Sequence, residues 1–346
     1  MFKRLIGFWA NHQASVTIAV LVMAVLYPLM FGTQYMVNIG VQCLLYSILA
    51  LSLNFITGYT GIVVLGQAGF YGIGAYTTAI LLTKVGISFW LAVLCSMGVA
   101  FLFGFLIGLP TLKIKGNYLA IVTLGFCEIL RIIELNWTSL TNGPFGIKQI
   151  PPPRLFGYEF KTPVQKYYLV LVLTALVITV INNLVNSRSG RAWRAIKGDD
   201  IAAQAMGVNV TRYKVLAFAI SAAIAGLAGA FYATRVNYID STTFNYNQSI
   251  LILSMTIIGG LGSIPGSIIG ATFFVILPEL LRGLSIFFGD WIVNWRQPIY
   301  GIILVVMIMF KSDGLLGGFD MNQIKLFSAL HKKTGENPAE TGRECQ

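Results

Sequence analysis

Asn186 to Lys214 reads NSRSGRAWRAIKGDDIAAQAMGVNVTRYK, a polar and basic island between two long apolar runs. The flanking runs decide the fold. The chain of 346 residues is 56% hydrophobic and 11% charged, with a mean hydropathy of +0.75. A soluble domain carries about 25% charged residues. Apolar runs close to the ~20 residues that cross a bilayer as helix recur along the sequence. A transmembrane β-barrel would alternate over ~10-residue segments, and these runs do not alternate. The chain reads as an all-α polytopic membrane protein of about 8–10 transmembrane helices. The positive-inside rule places such an island in the cytoplasm. An island with helical content is also a surface that a soluble partner can grip.

The net charge of +11 does not imply nucleic acid, because the cations cluster in loops and tails. Cys43, Cys95 and Cys127 lie in apolar runs and Cys345 in the tail, at no spacing that suggests a zinc site or a disulfide framework. His12 and His331 are both terminal, which excludes a histidine-based metal or proton-relay site in the membrane. No glycine is followed by lysine, so there is no phosphate-binding loop of the G-x-x-x-x-G-K-[ST] kind. No enzyme or metal motif stands out, and no cofactor is expected in this chain.

Hydropathy places spans at about Ala14–Phe31, Met36–Thr57, Gln67–Thr83, Ser88–Leu109, Tyr118–Leu135, Tyr167–Val185, Tyr213–Arg235, Ser249–Gly260, Gly266–Leu281 and Pro298–Phe310. The first is too long for a cleaved signal sequence, whose apolar core runs 7–15 residues. The spans put both termini in the cytoplasm, with Lys3, Arg4, Lys113, Lys115, the island cations and Lys311 on that side. One region disagrees. The outer loop from Asn136 to Lys166 holds Lys148, Arg154, Lys161 and Lys166. The short run Ser249–Gly260 is also compatible with a re-entrant segment. Residues 1–312 form the transmembrane domain. Residues 313–346 are a polar tail, expected to be disordered towards its end.

Two glycine-rich breaks interrupt the helices: TGYTGIVVLGQAGFYGIGA, Thr57 to Ala75, and IIGGLGSIPGSIIGA, Ile257 to Ala271. Both carry Leu-Gly and, seven residues on, Gly-Ala, at Leu65, Gly66, Gly74, Ala75 and at Leu261, Gly262, Gly270, Ala271. Gly66, Gly69, Gly74, Gly262, Gly266 and Gly270 are the candidate break residues. They fit close helix packing and also the discontinuous helices that line transport paths.

Within the island, Ser189 or Ser187 is placed to cap a short helix beginning near Gly190, and Trp193 to lie at the lipid interface. Lys197-Gly198-Asp199 reads as a turn. Asp200 then caps a second helix, IAAQAM, closed by Gly207. Ala202, Ala203 and Ala205 are small enough for a groove on another protein. An ordinary interfacial loop is the plainer reading.

The stretch GNYLAIVTLGFCEILRIIELNWTSLTNGPFGI, Gly116 to Ile147, puts Glu128 and Arg131 three apart on one helix face. A charge at the bilayer centre costs about 2.5–3.5 kcal/mol on insertion scales. Such residues therefore turn inward and pair, either along a translocation path or as a structural lock. Glu134 is expected near the outer interface. Asn54, Gln67, Asn117 and Thr123 join Glu128 and Arg131 as candidate path residues. Asn54, Gln67 and Asn117, near helix breaks or ends, are of a kind that more often makes a satisfied interhelical hydrogen bond than a substrate contact.

Tyr118 to Glu128, YLAIVTLGFCE, with Asn136-Trp137-Thr138 and TNGPFGI at Thr141–Ile147, resembles the permease subunits of high-affinity branched-chain amino acid ABC importers. The likeness is to the LivM-like member of the permease pair. Arg191 to Lys214, AFAISAAIAGLAGA at Ala217–Ala230, GQAGFYGIGAY and GGLGSIPGSIIGA are similar too, so the resemblance covers about Asn38 to Gly314. Cys127 and Asn142 stand where that family commonly has glycine, and Asn117 where aspartate or a small residue is common.

The resemblance implies an ABC importer permease fold in a bacterial inner membrane, carrying branched-chain or other neutral amino acids. It implies a homologous second permease subunit, two cytoplasmic ATPases binding ATP and Mg, and a periplasmic substrate-binding protein. The loop would be the coupling helix, with Arg191, Arg194, Asp199, Asp200, Ala202, Ala203 and Gly207 as the coupling residues. The alternatives are a related permease for urea or short amides and an ion-coupled secondary transporter.

Overall fold

The computed structural model describes residues 13–30, 32–111, 117–155 and 158–288, together with 298, 299, 301, 302, 305, 306, 309 and 314. Most of the expected span Pro298–Phe310 and of the tail lies outside these described residues.

The helices in chain order are α1 (Gln13–Met30), α2 (Gln34–Thr60), α3 (Gln67–Ile80), α4 (Phe89–Thr111), α5 (Asn117–Asn136), α6 (Thr138–Thr141), α7 (Pro163–Asn186), α8 (Arg188–Gly198), α9 (Asp200–Ala205), α10 (Val210–Val236), α11 (Tyr246–Gly259) and α12 (Ile264–Phe288). A π-helical turn, Leu81–Val85, extends α3. Their ends follow local chemistry. Thr162 and Gln165 form a reciprocal capping box at the start of α7, with Pro163 in its first turn. Gly61, at φ 75°, closes α2. Left-handed backbone of this kind costs a residue with a Cβ about 1–2 kcal/mol.

Helix α10 is the central post. Its small residues let α3 and α4 approach closely, and this packing drives association where lipid offers no hydrophobic contrast. A methyl at Gly104 would press on Ala222 at 2.6 Å, and one at Gly226 on Ala100 at 2.6 Å. α2 is likewise wrapped, by α7, α10 and α12, and is buried along nearly all of its second half.

Among the described residues, five helices are long and apolar enough to cross a membrane: Gln34–Thr60, Phe89–Pro110, Pro163–Asn186, Val210–Val236 and Ile264–Gly283. The span expected at Gln67–Thr83 is α3 continued by its π-helical turn to Val85. The one expected at Ser249–Gly260 is α11, whose 14 residues rise about 21 Å at 1.5 Å per residue, against a hydrocarbon core of ~30 Å. Phe244, just before α11, is fully buried and packs edge-on to Tyr71 and Tyr76 of α3. Non-helical backbone inside a membrane protein is tolerated where protein, not lipid, surrounds it.

The loop at the end opposite the island is ordered by short pairings. β1 (Ile147–Lys148) pairs antiparallel with β4 (Tyr238–Ile239), and β2 (Arg154–Leu155) with β3 (Tyr158–Glu159). Its cations have local work. Glu159 takes Lys161 at 2.6 Å and also Arg154. Lys161, with help from Arg154, holds the Glu159 carboxyl below its ordinary range. Lys166 Nζ donates to the carbonyls of Thr234 at 3.4 Å and Arg235 at 3.3 Å, at the end of α10. Asn142 adopts φ 65°, and its Nδ2 donates to the Gly146 carbonyl at 2.9 Å. Asparagine is among the few residues that tolerate this left-handed backbone, which gives the departure from glycine a physical reason.

Candidate functional site

The island is two helices separated by Asp199, anchored to the bundle by a buried indole. Ser187 Oγ accepts from the Gly190 amide at 3.3 Å and starts α8 at Arg188, two residues before the expected start. Trp193 is not at the lipid interface. It is fully buried, edge-on to Phe55 of α2 at 4.9 Å, and its Nε1 donates to the Tyr213 carbonyl at 2.8 Å. An interface assignment rests on the ring's amphipathic character alone; here the N–H finds a partner inside the protein, so the whole ring is buried.

Lys197 and Gly198 belong to α8, and the turn comes at Asp199. Asp199, not Asp200, caps α9: its Oδ1 accepts from Ile201 N at 2.7 Å and Ala202 N at 3.1 Å. Extended backbone at Asp199 frees its side chain to bend onto the helix. Asp200 instead pairs with Lys214 of α10. Gly207, at φ 84°, turns the chain back towards α10.

Ala203 faces the protein itself, 4% exposed, and so does not offer itself to a groove on another molecule. Ala202 and Ala205 are exposed, between Ile201 at 75% and Met206 at 85% exposure. Sequence reasoning missed these two large apolar side chains. The signal was there: an isoleucine and a methionine at the two ends of an alanine-rich turn in a polar island. Arg191 is exposed, and Arg194 Nη2 donates to the Val185 carbonyl at 3.2 Å.

The candidate path residues fall into two groups. Asn54, Gln67 and Thr123 are buried at interhelical contacts. Asn54 Nδ2 donates to Ser263 O at 2.9 Å and Ser267 Oγ at 2.7 Å, while its Oδ1 accepts from Gly262 N at 2.7 Å. Gln67 Nε2 donates to Ser52 Oγ at 2.7 Å and to Ser221 Oγ at 3.3 Å, and its Oε1 is buried with no hydrogen-bond partner. Thr123 Oγ1 accepts from Leu65 N at 3.0 Å.

Glu128 and Arg131 form the second group. They pair at 2.7 Å and are half-buried on α5, and no hydrogen bond joins the pair to Asn54, Gln67 or Thr123. The Asn117 side chain lies outside the described residues. Glu134, two residues before the end of α5, is buried against Gly72, and its Oε2 has no hydrogen-bond partner. Glycine at position 72 leaves room for the carboxylate to fold inward.

Of the candidate break glycines, Gly66 caps α3 and Gly262, at φ 86°, lies between α11 and α12. Gly69, Gly74, Gly266 and Gly270 lie within helices, at close contacts with Cys127, Gly226, Gly259 and Met255 respectively. The positive-φ glycines that end helices at the breaks are Gly61 and Gly260.

Residues 35–310 match the sequence model of the family described as branched-chain amino acid transport system / permease component. The chain is similar to the high-affinity branched-chain amino acid transport system permease protein LivM of Salmonella typhimurium, 38% identical over 91% of this chain and 77% of the relative. It is equally similar to LivM of Escherichia coli, 38% identical over 86% of this chain and 74% of the relative. A probable branched-chain amino acid transport permease protein LivM of Methanocaldococcus jannaschii is 25% identical over 79% of this chain and 90% of the relative. No solved structure matches the chain.

Proposed function

Because the chain belongs to the branched-chain amino acid transport permease family, we propose that it is a membrane-spanning subunit of an ATP-driven importer for branched-chain amino acids. It performs no covalent chemistry. Two cytoplasmic ATPases, which bind the ATP and Mg, dock on the island. A homologous permease chain completes the path, and a periplasmic binding protein delivers the substrate. Both termini lie in the cytoplasm.

One observation carries this reading. The island carries two exposed large apolar side chains, Ile201 and Met206, while Trp193 pins it to α2 and α10. A partner docked on the island would cover both side chains and remove their apolar surface from water. A buried anchor beneath it turns docking into a push on the bundle. ATP binding by the partners shifts the permease pair between states by its differential affinity for them.

Reconstitution into liposomes tests the reading. With the second permease, the ATPases and the binding protein, leucine uptake should require ATP on the ATPase side and persist when ion gradients are collapsed. Uptake by this chain without ATPases, driven by a proton or sodium gradient, would remove the ATP-driven assignment.

A further inference from the structure

We propose that Lys197 is the positioning residue through which the island acts on both glycine breaks at once. This rests on the reading that partner ATPases move the island. Lys197 closes α8, the helix that Trp193 anchors, and although the residue is exposed its ammonium donates to the Gly58 carbonyl of the neighbouring α2 at 2.7 Å. Gly58 lies in the last turn of α2, where backbone carbonyls lack helical donors and the helix end carries partial negative charge. A lysine there supplies both a donor and an opposite charge.

Three contacts make this more than an ordinary helix cap. First, the lysine stem lies on the first break: a methyl at Gly61, which ends α2, would sit 3.4 Å from Lys197 Cγ. Second, the second break lies on the other side of the same bond: a methyl at Gly262 would be 3.4 Å from the Gly58 carbonyl and 4.0 Å from Lys197 Nζ. Third, Asn54, one turn before Gly58 on the same face of α2, fastens that break through Gly262 N, Ser263 O and Ser267 Oγ. Asn54 is buried, with its amide oxygen and both of those acceptors engaged.

The island therefore touches the first break at Gly61, where α2 ends, and lies beside the second at Gly262, just before α12, by way of one side chain. Its second hold on α2 is the apolar contact of Trp193 with Phe55. That contact fixes where the island sits. The lysine sets how its displacement reaches the two breaks.

The test compares wild type, Lys197→Met and Lys197→Arg in the full assembly in liposomes, reading leucine transported per ATP hydrolysed. Methionine keeps the stem and removes the cation and donor. The ratio should fall about fivefold, within the range by which substitutions along a coupling network act, and arginine should restore most of it. A merely structural role would lower the yield of assembled transporter and both activities in proportion, leaving the ratio unmoved.

An unchanged ratio in Lys197→Met overturns the inference while leaving the ATP-driven reading intact. If Lys197→Met does not assemble, Asn54→Ala, which cuts the far end of the link, must show the lowered ratio, and a wild-type ratio there overturns the inference as well. Wild-type uptake that ignores ATP would overturn both the inference and the reading beneath it.

Discussion

Two polar regions of similar length, each with several cations, stand at opposite ends of this molecule, and they use their charges differently. In the loop around β1, β2 and β3, the cations are spent locally: Arg154 and Lys161 on Glu159, and Lys166 on the end of α10. In the island they reach inward and outward. Lys197 crosses to α2, Lys214 holds Asp200 and so fixes α9 to α10, and Arg191 is exposed. A count of lysines and arginines does not see this difference. What separates the regions is the kind of anchor. The island has a buried indole, Trp193, and two exposed large apolar side chains, Ile201 and Met206. The loop has buried aliphatic side chains, Ile147 and Ile150, with two-residue strand pairs and ion pairs. On the proposed reading, one region transmits force and the other closes off an end.

The comparison breaks most readily at the anchor. Trp193→Ala removes the largest fully buried side chain, which should cost about 3–5 kcal/mol. Limited proteolysis in detergent should then cut within 186–214 while the loop near Lys148 stays resistant. Equal resistance in both regions would mean that the indole is not what makes the island rigid.

A smaller effect is expected across the molecule at Asn142, where alanine meets a left-handed backbone and loses the bond to Gly146. Asn142→Ala should destabilise by about 1–2 kcal/mol, with Asn142→Gly recovering much of it, read as the midpoint of thermal unfolding. An alanine variant as stable as its parent would contradict the backbone argument.

The smallest effect belongs to Glu159. Its carboxyl is held below the ordinary range by Lys161 and Arg154. The stability it lends is present above the ordinary carboxylate range and is lost as pH falls through the lowered value. Glu159 is exposed enough for solvent to screen most of that. Glu159→Gln should lower the unfolding midpoint slightly at pH 7, and the difference should close on acidification. A difference that widened in acid would reverse the assigned sign.

What the sequence showed and what it hid divide along the same line. Local chemistry was legible. The ion pair Glu128–Arg131 needs only helical spacing, and the glycines of Thr57–Ala75 and Ile257–Ala271 announce close packing before any contact is known. The cap on α9 was misplaced by one residue because two aspartates stand side by side, and only the extended backbone at Asp199 chooses between them.

Contacts distant in sequence were not legible. Nothing near Trp193 says that Phe55 will meet it, and Lys197 reaches a carbonyl 139 residues away. Hydropathy also could not tell a helix that crosses from one that starts inside the bundle. α11 is apolar enough for a span, and its shortness is decided by where Asn245 starts it and Gly260 stops it. Nor does the sequence say that Glu134 folds into the space left by the missing side chain at Gly72.

The claim that the island is a docking elbow for a separate motor is tested most directly at Met206, its most exposed apolar residue. In a variant whose native cysteines are replaced, Met206→Cys would be probed with a membrane-impermeant thiol reagent. The account predicts no reaction from outside intact cells, ready reaction in inverted vesicles stripped of ATPases, and protection when the ATPases are restored. Labelling from the outside, or labelling that the ATPases leave unchanged, would contradict it.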